Sequence, residues 1–239
     1  MLDPTLRDLE LARLAETASR LLLNAPDAAT LSAMERAAGG ALDLAQSRQD
    51  FYDHLCIVQS GCFVPPVAHV LRQARQTEAY WHFGTPRYDG GDALASWYDA
   101  AGFEPSELPA DPILAGANRP LDHVGVLLAF LAALLDAAHD DNADRTLIGE
   151  FLGEHIEPWA DTFVQLLSCS TSPYIALLGS MLGDLFAAVR ETFPPIAPPA
   201  QAWRPDCGEM TRTGSLRRWP PRSGCVVDGG SGRPKEGPP

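Results

Sequence analysis

Apolar residues recur along most of this chain every three or four positions, the spacing that gathers them on one side of a helix. Leu6, Leu9, Leu14, Ala18, Leu21 and Leu22 form the first stripe, opened by Asp3-Pro4 and closed by Asn24-Ala25-Pro26. A second helix is predicted over 27–38, stopped by Gly39-Gly40, and a third over about 41–58 with Phe51, Leu55 and Val58 on one face and Tyr52 and Cys56 alongside. Pro65-Pro66 hold the residues before them extended. Short helices over about 67–76 and 92–101 then flank an irregular aromatic patch, Tyr80-Trp81-His82-Phe83, and the second of them carries Leu94, Trp97 and Tyr98. Past a run broken by Pro105, Pro109, Pro112 and Gly116, Val124 to Leu135 is almost unbroken apolar sequence and predicts a buried central helix over about 120–138. Ile148, Phe151, Leu152, His155, Trp159, Phe163 and Leu166 continue at helical spacing with Pro158 among them, so that stretch is kinked or is two helices meeting. The last helix opens at Ser172-Pro173 and ends at Phe193-Pro194-Pro195. Period-two runs of β-branched residues are missing, so strands are not expected.

The pattern adds up to an all-α, single helical-bundle domain of about eight or nine helices. It divides into an N-terminal lobe (1–103), a hinge loop (104–119) and a C-terminal lobe (120–193). Residues 194–239, rich in proline, glycine and arginine and without periodicity, bury too little apolar surface to offset their ordering entropy and are expected to be a disordered tail. Pro120-Leu121-Asp122-His123 stands where hinge meets central helix. The proline suits a first helical turn and the Asp122 carboxylate the positive end of the helix dipole, so an exposed charged pair at the mouth of the helix is predicted.

Charge narrows the function. The formal net charge is −13, and residues 1–193 hold 11 arginines against 27 acids. Such a body repels phosphate backbones, which excludes nucleic-acid binding, and suits a partner segment bearing arginines. Lys235 is the sole lysine and lacks the glycines of a phosphate-binding loop. Cys56, Cys62, Cys169, Cys207 and Cys225 form no C-x-x-C and are read as reduced thiols. The central apolar run is shorter than the roughly 20 residues a bilayer needs, and the N-terminus carries acids rather than a basic start, so a cytoplasmic protein without membrane insertion is expected. Arg217-Arg218, within SLRRW, looks like a twin-arginine export signal, but with no apolar segment behind it the match is read as chance.

Candidate chemistry from the residues alone leaves three classes open. A helical metal or thiol enzyme could use His54 with Cys56 or Cys62, or Glu154 with His155, although no second Glu-x-x-His accompanies them. A binding module would use the aromatics Tyr80, Trp81, Phe83, Trp97 and Tyr98 on irregular backbone. A generic helical adaptor is the third class.

Three ordered blocks then carry a resemblance: Ser47 to Leu55 (SRQDFYDHL) leading to Gly61-Cys62-Phe63-Val64-Pro65-Pro66; Ala95-Ser96-Trp97-Tyr98 to Gly102-Phe103, followed by the hinge and Pro120-Leu121-Asp122-His123; and His155-Ile156-Glu157-Pro158-Trp159 with Phe163. Their order and spacing resemble the TorD/DmsD/NarJ family of redox-enzyme maturation chaperones. The resemblance implies a helical cytoplasmic chaperone, not an enzyme and without a cofactor of its own. Such a chaperone binds the apo catalytic subunit of a DMSO-reductase-class molybdoenzyme, in several members through its twin-arginine signal peptide, and assists insertion of the molybdenum cofactor before export. Monomers and dimers swapped through the hinge are both consistent with it. Carried over position by position, it implies a client-binding site at Pro120, Asp122 and His123, with Tyr52, Pro65, Pro66, Trp97 and Tyr98; Trp81 joins them from the aromatic patch. Two departures stand out. After the double proline the family has an aromatic and then Glu-Ser where this chain has Val67-Ala68-His69, and it has a glutamate where this chain has Leu127.

Overall fold

A computed structural model describes residues 4–78, 80–87, 89–115, 119–139 and 145–197. Helix α1 runs Pro4–Leu23, α2 Ala28–Ala38 and α3 Leu44–Leu55. The aspartates in front of α2 and α3 do what such residues do at helix starts. Asp27 accepts from the Thr30 amide at 2.8 Å and Asp43 from the Gln46 amide at 2.8 Å, each satisfying an otherwise orphaned donor. Helix α2 ends on Gly39 in the left-handed conformation (φ 69°).

Helix α4 is a single turn, Ala68–Leu71, shorter than the stretch over 67–76 expected from sequence. The chain leaves it for a two-stranded antiparallel ladder, β1 (Arg75–Gln76) with β2 (Trp81–His82), so the expectation of no strands is corrected. The ladder is too short to show a period, and a polar residue closes it: the Thr77 hydroxyl donates to the Tyr80 carbonyl at 2.7 Å and accepts from the Tyr80 amide at 3.2 Å. Helix α5 spans Asp92–Ala101 and α6 Val124–His139. The remaining helices are α7 (Arg145–Phe151), α8 (Ala160–Ser168) and α9 (Pro173–Thr192). Ser172 caps α9 by accepting from the Ile175 amide, with Pro173 at the first helical position as predicted.

Between α7 and α8 the backbone widens into a π-helical turn, Leu152–Ile156, with the Glu157 amide reaching the Leu152 carbonyl at 2.9 Å. Pro158 has no amide to continue a ladder, and a chain break in the helix there was predicted. Side chains satisfy two carbonyls of this turn. Arg72 donates to the carbonyl of Glu154, and the Trp159 indole donates to that of His155.

The interior is continuous. Helix α6 is largely buried, with Val124, Val126, Leu127, Leu128, Phe130, Leu131 and Leu135 fully enclosed, as its apolar run foretold, and with Ala133, Asp136 and Ala137 exposed towards its end. Helix α1 packs along it, and α9 lies against α1, α3 and α8. The Ser19 hydroxyl ties α1 to α6 through the Gly125 carbonyl at 2.7 Å. An aromatic ladder crosses the core: Phe130 meets Tyr98, Phe103 and Phe151 at centroid distances of 4.9, 5.2 and 5.0 Å. At each such position burial contributes about 1.5–3 kcal/mol. At the far side, Asp8 is buried against Arg145, whose guanidinium lies 4.2 Å from the Phe193 ring centroid.

The described residues between α5 and α6 are tied down at several points. It contains a 3-10 turn at Pro105–Glu107. The Asp111 amide donates to the Leu23 carbonyl at 2.8 Å, Asn24 donates to the Pro109 carbonyl at 3.2 Å, and Arg119 bonds the Pro105 carbonyl. Beyond α9 the expected tail boundary at 194 moves. Residues up to 197 turn back over α7, where the Ile196 amide donates to the Gly149 carbonyl at 2.8 Å, and a Cβ on Gly153 would stand 1.9 Å from the Ile196 carbonyl oxygen. The rest of the expected tail lies outside the described residues. Among the described residues no helix is long and apolar enough to cross a membrane.

Candidate functional site

The Pro120–His123 stretch meets the Pro65–His69 stretch edge to edge. Val67 and His123 form an antiparallel bridge, the Ala68 amide donates to the Asp122 carbonyl at 3.0 Å, and the Val124 amide donates to the Pro66 carbonyl at 2.8 Å. This junction overturns the predicted exposure of Asp122 and His123, which are each 2 % exposed. Pairing with residues 66–68 turns their side chains inward, and α6 begins only at Val124, so neither Pro120 nor the Asp122 carboxylate occupies its first turn. The ring of His123 takes the capping role instead: the Gly125 amide donates to its Nδ1 at 3.1 Å.

That bond fixes the tautomer, because an amide can only donate: Nδ1 is the acceptor, and the proton sits on Nε2, which has no partner. Burial, and then the charge of Arg119, push the His123 imidazole down to about 3. The ring is therefore neutral and structural.

Asp122 points at His69. Its Oδ2 accepts from the His69 amide at 2.7 Å and from His69 Nδ1 at 2.8 Å. On the other side of the ring the Arg87 amide donates to Nε2 at 2.9 Å, so the ring proton lies on Nδ1, facing the carboxylate. Asp122 Oδ1 is buried with no hydrogen-bond partner. The chain closes over this pair at Gly90, where an added Cβ would fall 2.1 Å from His69 Nδ1, a contact only glycine permits.

The pair borders a cavity of about 60 Å³, lined by Ala68, His69, Asp122 and Leu127 together with Arg72, Glu154 and His155. The positions at which this chain departs from the family pattern, Ala68, His69 and Leu127, thus gather around the one carboxylate. His155 is 4 % exposed, sits against Trp97 and Phe151, and its Nε2, without a hydrogen bond, lies 3.6 Å from Glu154 Oε1. Burial, and then the charge of Arg72, push it down to about 4, so it too is neutral near pH 7. A second, open groove of about 690 Å³ runs along β1, lined by Arg72 to Thr77 and His82 to Gly84. Arg72 borders both hollows.

The other predicted site residues fall in two groups. Pro65, Pro66 and Tyr98 are buried at the junction, and the Tyr98 hydroxyl donates to the Leu121 carbonyl at 2.8 Å. Burial first, and then the charge of Asp122, raise its phenol. Trp97 is half-buried, edge-on to Phe151 and His155, and Pro120 is exposed. Tyr52 and Trp81 do not join them. The Tyr52 hydroxyl donates to Asp111 Oδ2 at 2.8 Å and pins the segment before α6, while Trp81 stands half-buried on β2. Sequence reasoning passed over Arg72 and took His69 only as a departure; a histidine three residues after the double proline was the available signal.

For thiol chemistry the arrangement is poor. His54 Nδ1 lies 2.9 Å from the Asp50 carbonyl and Nε2 lies 2.9 Å from the Ser170 hydroxyl, so both ring nitrogens are engaged away from the cysteines. Burial, and then the charge of Asp111, push the Cys56 thiol up to about 12, which leaves almost no thiolate at neutral pH. Among the described residues no group of three His, Cys, Asp or Glu side chains could hold a metal ion.

The model of one protein family, described as nitrate reductase delta subunit, matches residues 22–165, which include α3, the double proline, the aromatic ladder and the whole junction. No curated protein and no solved structure gives a significant match.

Proposed function

The chain belongs to the nitrate reductase delta subunit family, and from that premise we propose that it is a cytoplasmic chaperone for the apo catalytic subunit of a DMSO-reductase-class molybdoenzyme. Members of the family assist maturation of a molybdoenzyme and are not themselves catalysts. In this proposal the chaperone engages the client, through its twin-arginine signal peptide where it has one, and keeps it open for insertion of the molybdenum cofactor before export. It acts as a monomer or as a dimer exchanged through residues 104–119.

The observation that carries the reading is the family match over residues 22–165. The geometry supports a particular face. Pro120 and Trp97, exposed or half-buried, would meet the client there, and Trp81, apart from them on β2, would add a separate contact. Asp122, His123, Tyr98, Pro65 and Pro66 would shape that face from beneath, and Tyr52 would hold the segment that frames it. The acidity of the body favours a basic client segment.

The test is co-purification of the full chain with the nitrate reductase catalytic subunit from its own host, together with the molybdenum content of that subunit in a deletion strain. We expect a complex, and a subunit deficient in molybdenum when the chaperone is missing. No complex and a fully loaded subunit would remove the proposal.

A further inference from the structure

The open groove along β1 carries charge of the opposite sign to the body around it. Over residues 1–193, 27 acids face 11 arginines, and Arg7, Arg87, Arg145 and Arg190 each meet a carboxylate. Arg72 and Arg75, both exposed, line the groove together with His82, and no carboxylate lines it. The Arg72 guanidinium donates to the Glu154 carbonyl, a neutral partner, although the carboxylates of Asp122 and Glu154 stand within its electrostatic reach. The Arg75 side chain forms neither a hydrogen bond nor an ion pair among the described residues.

Beside the arginines stand groups that suit a peptide chain. Gln73 and Gln76 line the groove, and an amide side chain offers a donor and an acceptor together, as a peptide unit does. Among the described residues β1 has β2 as its single partner, so one edge of its backbone is also unpaired. Arginine beside an open strand edge keeps two copies of that edge apart, because like charges would meet, and leaves a segment of opposite sign free to approach. At about 690 Å³ the groove has room for several residues of extended chain. We propose that it is a docking site for an extended acidic segment of a partner protein. Its carboxylates pair with Arg75 and Arg72, which take a carboxylate through two parallel N–H donors, and its backbone bonds Gln73 and Gln76. This inference goes beyond the chaperone reading and holds whether or not the partner is the catalytic subunit.

The probe is a short fluorescein-labelled peptide alternating aspartate with valine, titrated into the full chain by fluorescence anisotropy at about 0.15 M salt. Charges there are screened beyond about 8 Å, so the acidic remainder of the body contributes little. An analogue with asparagine in place of aspartate keeps the shape and removes the charge. We expect the acidic peptide to bind, and the analogue to bind about tenfold more weakly. Arg75→Glu should weaken the acidic peptide by about tenfold or more. Arg75→Lys, which serves should Arg75→Glu fail to fold, keeps the charge without the planar fork and should cost about threefold. Gln76→Ala should also cost about threefold, a loss that a bare anion would not show. Equal binding of the two peptides, or affinity unchanged by Arg75→Glu and Arg75→Lys, would overturn the docking site. Affinity that ignores Gln76→Ala would overturn the peptide as its occupant. So would inorganic phosphate or phosphatidylglycerol vesicles that depend on Arg75 where the peptide does not, which would make the groove an anion or membrane site.

Discussion

The interior around α6 and the junction around Asp122 adjoin one another and are held by opposite means. In the first, Phe130, Tyr98, Phe103 and Phe151 share wide, non-directional contact, and most side chains of the helix are enclosed. In the second, a few directional bonds converge on His69, Asp122 and His123, two of whose polar atoms, Asp122 Oδ1 and His123 Nε2, stay unpartnered. The first region loses stability in proportion to the volume removed and takes little notice of pH. The second depends on single atoms and on protonation state. Stability is concentrated in the former, and sensitivity to single atoms in the latter.

That contrast can be broken from either side. Phe130→Ala should have the largest effect, about 3–5 kcal/mol of unfolding free energy by urea denaturation, with nearly the same cost at pH 5 and pH 8. A marked pH dependence of that cost would show that the two regions are not separable. Gly90→Ala should cost about 1–3 kcal/mol, because its methyl must displace the His69 ring. Combining it with His69→Ala should recover much of the loss, and a double mutant whose costs simply add would refute the contact.

Protonation supplies the third. An unfolded histidine titrates near ~6.5, whereas burial holds folded His123 at about 3 and folded His155 at about 4. The unfolded chain therefore takes up protons first as pH falls. The stability contributed by these neutral rings is complete above about pH 6.5 and is lost as pH drops from there toward the folded values. The melting temperature should fall between pH 7 and pH 4.5. His123→Asn, which keeps an acceptor for the Gly125 amide, should flatten that slope, and an unchanged slope would assign the dependence elsewhere. The smallest effect is expected at Tyr52→Phe, about 1 kcal/mol from the bond to Asp111, with faster hydrogen exchange in residues 105–115 as its local signature.

Much of the helical framework was legible in the sequence because its causes are local. Asp27, Asp43, Ser172-Pro173 and the apolar run of α6 announce their elements within a few residues. The hairpin was not, since two-residue strands carry no period and their turn is made by one threonine hydroxyl. The exposure expected of the candidate site was wrong. Asp122 is buried, and its direction is set by bonds to His69, 53 positions away, which no local pattern encodes. His69, visible in the sequence only as a departure from the family pattern, is in space the partner of the carboxylate.

The seating of Ile196 over Gly149 and Gly153 sets where this chain can be cut. A chain shortened to Ala197 keeps the amide that covers the Gly149 carbonyl, and keeps the backbone that lies on Gly153. One shortened to Phe193 uncovers both, directly beside the π-helical turn that carries Glu154 and His155. A cut at the prolines at 194 and 195, which look like the natural boundary, therefore removes contacts that the helical body uses.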